Sequence, residues 1–141
     1  MEQVTEYYDY LLDKIRQSGW IVHNDLSFRQ IDDKEAYIRG ELYLFGGLVL
    51  HVAEYVVIRK GKPDKDKYRY QLLDNQNNMI ARWDNAPHHP EIPTHPYHKH
   101  LKDGKITSSS ALSISDVLDE LDDVLKDLQN FYSDNLQKSE S

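Results

Sequence analysis

The chain contains no cysteine in its 141 residues. That absence excludes disulfides, cysteine-based zinc sites, iron–sulfur ligation and a thiol nucleophile, and it fits a reducing compartment. Long hydrophobic runs are missing too, since no segment approaches the roughly 20 apolar residues of a membrane span. The opening MEQVTEYYDY is acidic and polar, where a signal peptide would place a positive stretch and then an apolar one. A soluble, cytoplasmic-type protein without membrane association is the expectation. A strong positive charge is also lacking. The net charge is −7, and residues 34–105 alone are mildly basic, with twelve basic and nine acidic side chains between two acidic ends. A dedicated duplex binder with a broad basic footprint is excluded, although an anionic ligand would find the middle of the chain more favourable than its ends.

The length suits one domain with one core, here residues 1–135, followed by a disordered tail at 136–141. Val4, Tyr7, Tyr8, Leu11, Leu12 and Ile15 recur at helical spacing and predict a helix over 3–18, stopped near Gly19. A second and stronger stripe, from Ile114 through Val117, Leu121 and Leu128 to Tyr132, predicts a helix over 114–133, which Ser113 and Asp116 open as a capping box. That stripe also matches a short heptad seam, so self-association is an alternative to packing on the chain's own sheet. Between the helices the period becomes two in five runs, at about 20–31, 35–45, 48–60, 67–74 and 79–84, with turn residues between them. The expected fold is α+β: a five-stranded antiparallel sheet with an N-terminal and a C-terminal helix packed on one face.

Alternation assigns the two faces. With Ile38, Leu42 and Leu44 toward the helices, Tyr37, Arg39, Glu41 and Tyr43 point away, as do His51, Tyr55, Arg69, Gln71, Arg82 and Asp84 on later strands. Solvation explains such a face, but aromatic residues interleaved with arginines also suit stacking on nucleic-acid bases. Glu54 breaks the pattern, because it shares the parity of Leu50, Val52 and Val56. A strand end can leave it solvated, a bulge can turn it outward, or its carboxylate is buried and paired, with an arginine, tyrosine or histidine of the loop region as the expected partner.

Residues 84–100 read DNAPHHPEIPTHPYHKH and hold five of the seven histidines, with prolines at 87, 90, 93 and 96. Proline at every third position predicts a stiff, extended loop, assigned to 84–105. Three readings compete. The histidines can be surface or capping residues. They can ligate a metal, yet their spacing matches no established zinc pattern, and three residues of polyproline II helix advance about 9 Å. Or they can move protons and bind phosphate near neutral pH. Metal-independent RNA cleavage needs a base, an acid and cations, and His88, His89, His98, His100, Tyr97, Lys99 and Arg82 include every type required.

The stretches GGLVLHVAEYV at 46–56, KYRYQLLD at 67–74 and RWDNAPHHPEIPTHPYHKH at 82–100, followed by a leucine-rich helix, together resemble the TumE family of small prokaryotic toxin-like proteins over about residues 35–130. The pattern departs at Tyr97, where another histidine is expected, and at Gly46-Gly47, so those positions are not carried over. The resemblance implies the toxin half of a toxin–antitoxin pair, with an antitoxin-like protein, TumA, as partner. It implies as functional positions Glu54, Tyr68, Arg69, Tyr70, Arg82, Asp84, Asn85, His88, His89, His98 and His100. The resulting expectation is a protein that acts on or binds RNA without cofactor or metal. Its catalytic group is drawn from His88, His89, His98, His100 and Asp84. Arg69, Arg82, Tyr68, Tyr70, Asn85 and Lys99 would bind substrate, with Glu54 in support. A non-catalytic binding module and a histidine-ligated metal enzyme are the rivals.

Overall fold

The computed structural model describes residues 1–85, 98–108 and 113–122. Helix α1 (Val4–Gln17) is followed by strands β1 (Ile21–Gln30), β2 (Glu35–Leu44), β3 (Val49–Arg59), β4 (Lys62–Leu73), β5 (Met79–Asp84), β6 (His98–Leu101) and β7 (Ile106–Ser108). The strands form one sheet in strict chain order, every neighbouring pair antiparallel. A second helix, α2, is described over residues 114–122. The α+β architecture with one antiparallel sheet and two helices is as the sequence predicts, but the sheet has two more strands than expected.

Turn chemistry explains the order. Asp32 Oδ1 accepts the amides of Lys34 and Glu35, both at 2.8 Å, and so closes the β1–β2 turn. Lys60 and Gly61 both have positive φ between the paired Arg59 and Lys62, as a two-residue type I′ hairpin requires. The turn thus lies at the very start of the interval between the expected strands at 48–60 and 67–74, and Pro63 falls inside β4. It is tolerated there because β5 pairs with β4 only from Arg69 onward, leaving Pro63 at an unpaired edge. Asp74 Oδ1 accepts the amides of Gln76 (2.8 Å) and Asn78 (2.9 Å) in the β4–β5 turn.

The apolar face carries the core. Val4, Tyr7, Leu11 and Ile15 of α1 bury with Ile38, Leu42, Leu50, Val52, Val56, Tyr70, Leu72 and Trp83 of the sheet and with Ile114, Val117, Leu118 and Leu121 of α2. Each fully buried aliphatic side chain of this kind contributes about 1.5–3 kcal/mol, so the shared core holds both helices to one face. The capping box of α2 is reciprocal. Ser113 Oγ accepts the Asp116 amide and Asp116 Oδ2 accepts the Ser113 amide, both at 3.2 Å. Lys14 of α1 pairs with Asp119 of α2 at 3.3 Å, so the two helices lie side by side.

Strand β6 corrects the C-terminal part of the assignment of 84–105 to a loop, and β7 follows just beyond it. His-Lys-His-Leu shows no apolar alternation, yet β6 pairs with β5 because Lys99 and Leu101 fall on the helix side while His98 and His100 take the register positions of the other face. The proline-rich part of the expected loop, with His88 and His89, lies outside the described residues, as do the end of the predicted C-terminal helix and the tail. Among the described residues, no helix is long and apolar enough to cross a membrane.

Candidate functional site

Cross-strand register turns the outer face into a grid. One row runs Tyr37, Tyr55, Lys67; the next runs Arg39, Ala53, Arg69, Asp84, His98; the third runs Glu41, His51, Gln71, Arg82, His100. Ala53 is the smallest residue of the grid, and its neighbours on all sides are long. The result is a hollow of about 570 Å³ lined by Tyr37, Arg39, Ala53, Tyr55, Lys67, Arg69, Arg82, Asp84 and Asn85, with core residues Glu54 and Tyr68 at its border. A second hollow of about 340 Å³, bounded by Glu41, His51 and Gln71, shares Arg39, Ala53 and Arg69 with it.

At the β5–β6 end of this face three side chains meet. Asp84 Oδ2 lies 3.0 Å from Arg82 Nε and 3.3 Å from His100 Nε2. Arg82 Nη2 lies 3.0 Å from the same ring nitrogen. The Arg82–Asp84 contact is an ion pair and not a directed hydrogen bond, since Nε is buried and has no hydrogen-bond partner among the described residues. Asp84 and His100 are buried, at 5% and 9% exposure, on the face that otherwise carries polar exposed groups. Buried ionisable groups in mutual contact beside a hollow are a usual feature of functional sites.

The neighbouring groups are held in place. Tyr55 donates its hydroxyl to Glu35, which pushes the phenol up to about 12, and its ring lies 4.8 Å from that of Tyr37. Tyr43 donates to Glu41, and its pKa is raised by that bond. Arg69 Nη2 donates to Gln71 Oε1 at 2.8 Å. Asn85 does structural work: its Oδ1 accepts the Tyr68 amide at 2.9 Å and its Nδ2 donates to the Asp66 carbonyl at 3.1 Å. It thereby braces β4 where the register slips and Asp66 bulges out.

Several expected site residues lie elsewhere. Tyr68 and Tyr70 are in the core, 3% and 0% exposed, because their parity on β4 matches Leu72. Their rings pack on the helix side of the sheet, although Tyr68 also borders the hollow. Lys99 lies over the Trp83 ring, 5.0 Å from its centroid, and pairs with Glu120 of α2, so it too belongs to the helix side. Glu54 is buried at 2% exposure, and both its oxygens accept tyrosine hydroxyls, Oε2 from Tyr7 at 2.7 Å and Oε1 from Tyr70. The bulge falls one step further along the ladder and does not turn Glu54 outward; its partners come from α1 and β4, not from the loop region. Burial pushes the Glu54 carboxyl up, while the Tyr70 and Tyr7 bonds and the charge of Lys65 oppose the shift. Of the histidines, His100 reaches the cluster and His98 has its backbone in β6, while His88 and His89 fall outside the described residues. Among the described residues no group of three or more His, Asp or Glu side chains is arranged to hold a metal ion. Arg39, Lys67 and Ala53 line the hollow without being expected there. Parity alone places Arg39 on this face, but only register puts it beside Ala53 and Arg69.

A family model described as Toxin TumE matches residues 11–132. No curated protein matches the chain, and no solved structure does.

Proposed function

We propose that this chain, which belongs to the TumE toxin family, acts on RNA through the outer face of its sheet and cleaves the strand without a metal ion, its partner being an antitoxin-like protein. The observation that supports this reading is the Arg82–Asp84–His100 cluster beside a hollow that also presents Arg39 and Arg69. Cleavage proceeds by attack of a ribose 2′-oxygen on the adjacent phosphorus, with departure of the 5′-oxygen, giving a 2′,3′-cyclic phosphate and a 5′-hydroxyl. His100, whose Nε2 faces the Asp84 carboxylate, takes the 2′-hydroxyl proton on Nδ1. A protonated histidine from among His88, His89 and His98 returns one to the leaving oxygen. Arg82 and Arg69 neutralise the charge that builds on the phosphoryl oxygens.

One contact favours the rival reading of a non-catalytic binding module. Arg82 Nη2 lies 3.0 Å from His100 Nε2 and 3.4 Å from Nδ1, so the guanidinium crowds the ring nitrogen that would take a proton. Incubating purified protein with total RNA, with and without chelator, separates the alternatives. Chelator-insensitive cleavage leaving cyclic phosphate ends is the expected result. Cleavage abolished by chelator would move the assignment to a metal enzyme, and RNA binding without cleavage would move it to the binding module.

A further inference from the structure

We infer that the hollow over Ala53 is a subsite for an unpaired nucleobase, which makes single-stranded RNA the ligand; the inference rests on the RNA reading above. The cations around Ala53 are not ion-paired among the described residues. Among the described residues, Glu35 is engaged by Tyr55, Glu41 by Tyr43 and His51, and Asp84 by Arg82. Arg39, Lys67 and Arg69 have no carboxylate partner among the same residues, and only Arg69 has a side-chain hydrogen bond, to neutral Gln71. Hydroxyl donors fix Glu35 and Glu41 without neutralising them, and Asp25 lies beyond Glu41 toward the β1 edge. The three cations around Ala53 are nonetheless unpaired among the described residues, and a phosphodiester can pair with them.

The shape points to a base between those cations. Ala53 is paired with Arg39 on one side and with Arg69 on the other. Those two arginines stand two strands apart, about 9.5 Å at the usual strand spacing. Along β3, His51 and Tyr55 lie two residues to either side of Ala53, about 13 Å apart at the usual rise. A methyl group at the centre leaves an open floor, which any larger side chain would fill. The Tyr37 and Tyr55 rings border it, Tyr55 pinned by Glu35, and offer a preset surface for stacking. A base held in this way has left its pair. A duplex would present only backbone to the face and could not enter.

The test is fluorescence anisotropy with a short labelled 2′-O-methyl RNA, which its own 2′-oxygen cannot cleave, presented as a single strand and annealed to its complement. The full chain is expected to prefer the single strand by at least tenfold. Ala53→Leu should weaken that binding by tenfold or more at an unchanged melting temperature, because the residue lies outside the core, whereas Ala53→Ser should bind as the parent does. Should Ala53→Leu fail to fold, Arg39→Gln decides, with an expected three- to tenfold loss and a salt dependence shallower by about 0.7 in the log–log slope. Equal binding of strand and duplex overturns the subsite and leaves the RNA reading standing, as does parental affinity in folded Ala53→Leu or, in its place, in Arg39→Gln. Absence of binding to either RNA overturns both.

Discussion

The Tyr7 hydroxyl donates to Glu54 Oε2 across 2.7 Å, joining the first helix to the middle of the sheet through a buried carboxylate. The other oxygen is held by Tyr70 of the next strand. Removing the first donor by Tyr7→Phe leaves a buried acceptor unsatisfied, and a loss of about 1–3 kcal/mol is expected in urea unfolding. A parental midpoint in that variant would show that the bond contributes nothing.

The same carboxyl sets a pH dependence of definite sign. Burial raises the Glu54 pKa above its unfolded value, so its contribution to stability is fully present below the unfolded pKa and is lost as pH rises through the folded one. Glu54→Gln lacks this titration. The parent should therefore lose stability relative to Glu54→Gln as the pH is raised from about 4 toward neutrality, the unfolded Glu value being about 4.3. Parallel stability curves for the two proteins would contradict the assignment.

Asp74 acts in the opposite sense. Backbone amides of Asn78 and Gln76 hold its carboxyl below the usual range, so the turn it closes is supported above the unfolded value of about 3.9 and weakens as pH falls through the folded one. Asp74→Asn keeps an oxygen acceptor for those amides but does not titrate. The stability advantage of the parent over Asp74→Asn in urea unfolding should be largest near neutrality and should close as pH falls below about 3.9; a gap that does not change with pH would contradict the assignment.

Gly40 has φ of +147°, and a Cβ placed there would lie 2.0 Å from the Asp25 carbonyl oxygen and 2.8 Å from Leu26 Cα. Both obstacles are backbone of the edge strand β1, which cannot move aside without breaking its ladder. Gly40→Ala is expected to cost about 3 kcal/mol or more, toward the upper range for a single substitution. A melting temperature within a degree or two of the parent would refute the clash.

Alanine substitution at His100 should lower RNA cleavage by at least about a hundredfold, the usual scale for losing a proton-transfer group. Growth inhibition on induced expression should fall with it, while the fold survives. His88→Ala, His89→Ala and His98→Ala, melted and assayed alongside, identify the proton donor as the variant that loses activity without losing stability. If all four variants stay active and folded, the site lies elsewhere on the protein.

The strongly periodic parts of the fold were legible in one dimension. The α1 stripe, the Ser113–Asp116 cap and the alternation along β2 and β3 are local, because helix and strand each repeat within a few residues. Family resemblance rested on the same kind of contiguous text, as did the grouping of Asp84, Arg82 and His100 as positions of interest. Illegible were β6 and β7, whose short polar sequences form strands because β5 offers an open edge. Equally hidden was the place of Lys99 over Trp83 on the helix side, which follows from the unforeseen strand β6.

Composition, period and turn residues by themselves determined two amphipathic helices, an antiparallel sheet and the side of that sheet on which each residue of a regular strand lies. Only the tertiary structure decided which residues meet. Strand register aligns Arg39, Ala53 and Arg69 from three separate strands, and it brings His100 to Arg82 and Asp84 across eighteen and sixteen positions of chain. Alternation repeats every two residues and so specifies a face but not a neighbour. A slip of two residues would keep every side chain on its face and dissolve the grid. The register is held by turns and bulges together with the packing of the opposite, apolar face, and those are properties of the folded sheet.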